Sequence, residues 1–167
     1  MTQLQSAAQT EWKVLSTSKV NFRIKNAGLP VNGSFANPEA NIIFSPESLS
    51  TSKITASIAA KTVNTGINAR DNHLRKDDYF GVEKYPKINM TSTSFEKKGD
   101  NFVGYFELTI RDVTRKVKVP FSFVQNQDKA TFKGEFSINR RDFNVGGWSI
   151  ILGNEVDMSI TLQAQKK

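Results

Sequence analysis

A chain of 167 residues, 38% of them apolar and 23% charged, has the size of one domain and, with 12 phenylalanines, enough apolar mass to bury a core of its own. It holds no cysteine, which excludes disulfides, thiolate metal sites and a cysteine nucleophile. The net charge of +7 raises phosphate binding, yet the densest basic cluster, Arg111, Arg115, Lys116 and Lys118, encloses Asp112, so an ordinary solvated surface is expected.

Residues 1–167 read as a single domain, with 1–10 a loose N-terminal segment. Met1 to Gln9 has neither the basic start nor the apolar stretch of a signal peptide, and no run approaches the roughly 18 apolar residues of a membrane span. Whether a signal segment once preceded Met1 stays open. From there on the chain alternates with period two, the pattern of strands with one face buried and one wet. Val20, Phe22 and Ile24 oppose Asn21, Arg23 and Lys25; Ile54, Ala56, Ile58 and Ala60 follow, in a strand expected to reach about residue 64. Between Asn68 and Pro86 the alternation stops, and Asp71 is expected to cap a short helix running to about Phe80. Alternation resumes at Phe102 to Ile110, Val117 to Phe123, Ala130 to Ile138 and Val156 to Ala164, with Lys97-Lys98-Gly99-Asp100 and Gln125 to Asp128 short enough for hairpins.

About eight amphipathic strands bury their apolar faces in a sandwich or a closed barrel, and the longest of them favour a tilted barrel wall. The fold class is therefore all-β: an eight-stranded antiparallel β-barrel with one short helical connection. Small inward residues, Ala56, Ala60, Gly104, Ala130 and Gly134, either leave space or interlock with the large ones. Periodicity leaves the hollow and the solid barrel equally open.

The segment VNTGINARDNHLRKDDYFGVEKYPKINM, followed by GYFELTIRDVTRKVKVPF, resembles the YceI family of bacterial lipid-binding proteins. Trp12, Phe22, Gly33 and Phe35 fit its opening; Leu108, Val113-Thr114, Arg140, Asp142-Phe143 and Glu155-Val156-Asp157 fit its later segments. Asn144 stands where the family usually has glycine, and Lys116 where proline is common, which puts local turn geometry in question. The resemblance implies a lipocalin-like barrel whose interior binds a polyisoprenoid, such as a prenyl pyrophosphate or quinone tail, or a long acyl chain. It also implies a periplasmic or otherwise extracytoplasmic location.

Inward register then nominates Phe22, Ile24, Phe44, Ile58, Met90, Phe106, Leu108, Phe121, Phe136 and Met158 as the cavity lining. Arg70, Asp71, His73 and Leu74 lie in the irregular stretch, where they either meet a head group at the barrel mouth or fix the connection, Arg70 and Asp71 pairing with each other or with the backbone. No catalytic residue, metal site or cofactor is expected: His73 is the sole histidine, and no nucleophile motif occurs. A solid structural barrel is the alternative reading. A basic nucleic-acid-binding barrel is a weaker one, because the phenylalanines share the aliphatic register and Tyr105 alone departs from it. The expected partner is a long-chain lipid or isoprenoid, with no nucleic acid and no membrane span; a homodimer stays open.

Overall fold

The computed structural model describes residues 9–167, so the expected loose segment lies, apart from Gln9 and Thr10, outside the described residues. Ten strands follow: β1 (Glu11–Val14), β2 (Lys19–Asn26), β3 (Leu29–Phe35), β4 (Glu39–Ile43), β5 (Lys53–Ala59), β6 (Lys87–Lys98), β7 (Asn101–Ile110), β8 (Val113–Asn126), β9 (Lys129–Asn139) and β10 (Leu152–Lys166). They form one antiparallel sheet, ordered β1-β4-β5-β6-β7-β8-β9-β10-β2-β3, which a further pairing of β1 with β10 closes.

Both β1 and β2 lie against β10, Trp12 opposite Lys166 and Val20 opposite Ile160, while β4 and β3 lie on their other side. Each of these two pairs is thus one wall strand broken in the middle, and the barrel has the eight strands expected. At the first break the Ser18 hydroxyl stands in for a backbone partner, accepting from the Gln163 N–H at 2.9 Å. At the second, Asn37 takes φ 53° immediately before Pro38, which bends the chain out of register.

Tight turns set the register elsewhere. Ala27 and Gly28 both have positive φ, 52° and 76°, the geometry of a two-residue hairpin whose twist matches its strands. Gly99 and Gln127 play the equivalent left-handed part in the expected hairpins between β6 and β7 and between β8 and β9. Asn144 is also left-handed, at φ 58°, so the family glycine is replaced by the side chain that tolerates that region best after it. Lys116 lies inside β8 opposite Glu107, a regular strand position that needs no proline.

Two expectations require correction. The strand beginning at Lys53 ends at Ala59, not near residue 64, because the chain turns through a 3-10 helix over Ala60–Thr62. The helix, α1, spans Asn68–Leu74, and Asp71 lies inside it instead of capping it. The Asp71 carboxylate reaches back, accepting from the Thr65 N–H at 2.8 Å and the Thr65 hydroxyl at 2.5 Å, and so ties the preceding loop to the helix.

The two ends of the barrel differ. Around Phe44, which is fully buried, stand Phe95, Phe102 and Phe132 with ring centroids 5.4–5.5 Å away in edge-to-face contact, and the Trp12 indole N–H donates to the Phe44 carbonyl at 2.9 Å. This aromatic cluster is a solid floor. At the opposite end Val20, Phe35, Val63, Leu108, Ile110 and Phe143 form a second cluster, against which Leu74, Tyr79, Phe80 and Val82 of the α1–β6 connection pack.

Candidate functional site

The strands carry a gradient of exposure on their inward face. Along β10, Leu162 and Ala164 are buried beside the floor, whereas Val156, Met158 and Ile160, in the same register, are only half-buried. β9 repeats it, from buried Ala130, Phe132 and Gly134 to half-buried Phe136 and Ile138, and β2 from Val20 to Phe22 and Ile24. Inward side chains in a solid barrel would be covered throughout, so the far half of this barrel is hollow.

The hollow offers about 220 Å³ to the centre of a water molecule, far above the roughly 10–15 Å³ on that measure that one water needs. Its walls are almost wholly aliphatic and aromatic; Asn26, Ser57, Thr65, Tyr79, Arg70 and Arg140 bring the polar groups, most of them towards the end away from the floor. A space of this size with so few hydrogen-bonding partners does not hold ordered water well and suits apolar matter.

Phe22, Ile24, Ile58, Met90, Phe106, Leu108, Phe121, Phe136 and Met158 all line the hollow. Phe44 does not: it is the centre of the floor, enclosed by five other phenylalanine rings. Of the residues in the irregular stretch, Arg70 and Leu74 line the hollow. Asp71 is buried in its bonds to Thr65, and His73 is more than half exposed, with its ring 5.0 Å from that of Tyr79 and its Nε2 3.9 Å from Asp78. The pairing of Arg70 with Asp71 is absent. Both instead converge on Thr65, Arg70 through Nε to the hydroxyl at 2.7 Å and Nη2 to the carbonyl at 2.8 Å, and among the described residues no carboxylate neutralises Arg70.

Sequence reasoning passed over Tyr79, Phe80, Val31, Val145 and Arg140, all of which line the hollow. Phe80 and Tyr79 were visible as aromatics in a polar stretch, and Phe80 meets Phe35 edge to face at 5.7 Å. Arg140 is 3% exposed and gives every nitrogen of its guanidinium to main-chain carbonyls of the β9–β10 loop and the first residues of β10. Burial pushes its pKa below the usual arginine value, an effect that Tyr79 opposes. The phenylalanines of the strands face inward.

Fold and cavity together define a closed antiparallel β-barrel, solid at one end and hollow and apolar at the other. The chain belongs to the YceI-like family, whose domain model matches residues 12–164. Protein YceI of Escherichia coli O6:H1 is 29% identical over 168 residues, covering 95% of this chain and 88% of that protein. The crystal structure of Burkholderia cenocepacia BcnA superposes with a TM-score of 0.87 at 26% identity, over 92% of this chain and 99% of that one. A domain from Saccharophagus degradans described as polyisoprenoid-binding shares the fold, with a TM-score of 0.71 at 14% identity over 95% and 99% of the two chains.

Proposed function

We propose that this barrel binds one long apolar chain, a polyisoprenoid such as a prenyl pyrophosphate or quinone tail or a long acyl chain, and carries it without chemical change or cofactor, in an extracytoplasmic compartment. The observation that carries this reading is the hollow, apolar half of the barrel, where inward side chains are left half-covered by the protein itself. The Saccharophagus domain of the same fold, described as polyisoprenoid-binding, supports the isoprenoid class.

The energetics are adequate. About twenty buried methylene-sized carbons at roughly 0.8 kcal/mol each give some 16 kcal/mol gross, of which ordering and association take back a large part. No strong polar contact is needed in the shaft. At its end Arg70, held by Thr65 and paired with no carboxylate among the described residues, suits an anionic or carbonyl head group, with Leu74 on the same helix.

Native mass spectrometry of the purified protein, followed by organic extraction, tests the reading. A stoichiometric adduct with the mass of a prenyl or acyl compound is the expected result. A bare chain that also gains no thermal stability from saturating prenyl alcohol would overturn it.

A further inference from the structure

Six large apolar side chains stand exposed among the described residues, and five of them, Leu29, Ile67, Trp148, Ile150 and Ile151, belong to segments at the hollow end; only Val124 lies towards the floor. Two of these segments are physically joined. Leu29 follows the β2–β3 turn, and the Ala27 N–H of that turn donates to the Ile151 carbonyl at 2.8 Å, while Asn26 and Leu152 are paired across the strands. Ile67 immediately precedes α1, whose Arg70 and Leu74 line the hollow.

The exposure does not come from a loose chain. Arg140 holds the carbonyls of Val145, Gly147 and Leu152, and the Ser149 hydroxyl accepts from the N–H groups of Ile151 and Leu152 at 3.0 Å each. The backbone is thereby fixed with Trp148 73% and Ile150 83% exposed. A clustered apolar rim of this kind on a water-facing surface marks a contact site.

We infer that this rim enters the interfacial layer of an anionic lipid bilayer and seats the barrel mouth on it, so that the apolar ligand passes between bilayer and cavity without crossing water. The inference rests on the ligand reading above for its purpose, and on three observations for its occupant. The rim is continuous with the cavity end, and molecules that fit such a cavity reside in bilayers. An indole among aliphatic side chains is the composition that settles at the membrane interface. The chain carries a net charge of +7, with Lys25 beside Gly153 and exposed Arg141 on the turn leading into the loop, which matches anionic head groups.

The chain has a built-in reporter, because Trp12 is 1% exposed and hydrogen-bonded in the floor while Trp148 is open to solvent. With vesicles of phosphatidylcholine and phosphatidylglycerol, Trp148 emission should shift to the blue and be quenched by brominated acyl chains. Trp148→Ser combined with Ile150→Ser should weaken co-sedimentation with these vesicles by more than about tenfold, yet leave occupancy by detergent-delivered prenyl alcohol, read by native mass spectrometry, unchanged. Absence of parent protein on the vesicles, or equal binding by the variant, would overturn the rim's role. So would a blue shift that appears with protein concentration alone, which would make a second copy the occupant. Equal binding to pure phosphatidylcholine would overturn the electrostatic part. Rim insertion by a protein that takes up no prenyl or acyl compound would sink the ligand reading and leave the rim standing.

Discussion

Arg140 is a buried cation with no carboxylate beside it among the described residues. Its Nε donates to Gly153, its Nη1 to Val145 and Gly147 and its Nη2 to Leu152, so one side chain organises the whole β9–β10 loop. Arg140→Met keeps the stem but leaves those carbonyls without a donor, and is expected to lower stability by about 3 kcal/mol and to speed hydrogen exchange over residues 145–153; unchanged exchange there would refute the clamp. Nothing in the sequence announces this role, because its partners are main-chain carbonyls, which have no residue identity to read. Alternation did place Ala56 inward, and it lines the hollow between Ala40 and Met90. Ala56→Phe should put a ring into empty space, keep the melting temperature at or above that of the parent, and reduce prenyl occupancy in native mass spectra. Gly134 is a poorer choice for the same test, since a Cβ there meets Val119 Cγ1 at 3.0 Å and strains the wall itself.

At the scale of elements, legibility follows regularity. β2 and β9 keep close alternation, and β7 and β10 keep it in their inward apolar residues, although Val103 on the outward register of β7 is buried too; all four were readable as strands. β6 was not, because a register shift between Ser92 and Ser94 moves the inward set from Ile88, Met90 and Ser92 to Phe95. The buried Ser92 hydroxyl compensates by accepting from the Ile54 N–H at 2.9 Å. The start of α1 was misjudged for a related reason: Asp71 has the composition of a cap, and only tertiary structure shows that its Oδ1 is taken by the Thr65 N–H and hydroxyl. Gly33 illustrates a pairing that composition hides, since it sits opposite Phe22, whose ring lies over its Cα so closely that a Cβ would fall 2.1 Å from Cζ. Gly33→Ala must push that ring out of the cavity wall. The expected cost is about 1–3 kcal/mol in denaturant unfolding together with weaker ligand retention; a variant equal to the parent in both would show that Phe22 has room to move.

For the molecule as a whole, the proposed function divides the labour of folding and binding between the solid half and the hollow half. The aromatic floor supplies cohesion that needs no ligand, while the hollow half leaves inward side chains uncovered until something fills it. Ligand should therefore raise thermal stability by mass action, about 2.7 kcal/mol at a hundredfold excess over Kd, with the gain in hydrogen-exchange protection concentrated in Val156 to Ile160, Phe136 to Ile138 and α1. Uniform protection along the strands would contradict the division. The barrel itself was legible because a closed sheet imposes one inward register on every strand, but hollow against solid was not, since the same small residues serve either; Gly104, for instance, lies beneath the rings of Phe106 and Phe95 and opens no space. The mouth has one more property. Arg75 holds the carbonyls of Lys61 and Val63, Arg111 those of Asp77 and Tyr79, and Arg140 those of its own loop, whereas the ion pairs among the described residues are exposed and 3.8–3.9 Å long. A carbonyl has no proton to gain and a guanidinium none to lose at ordinary pH, so these three fastenings of the entrance hold whatever the charge on the carboxylates around them.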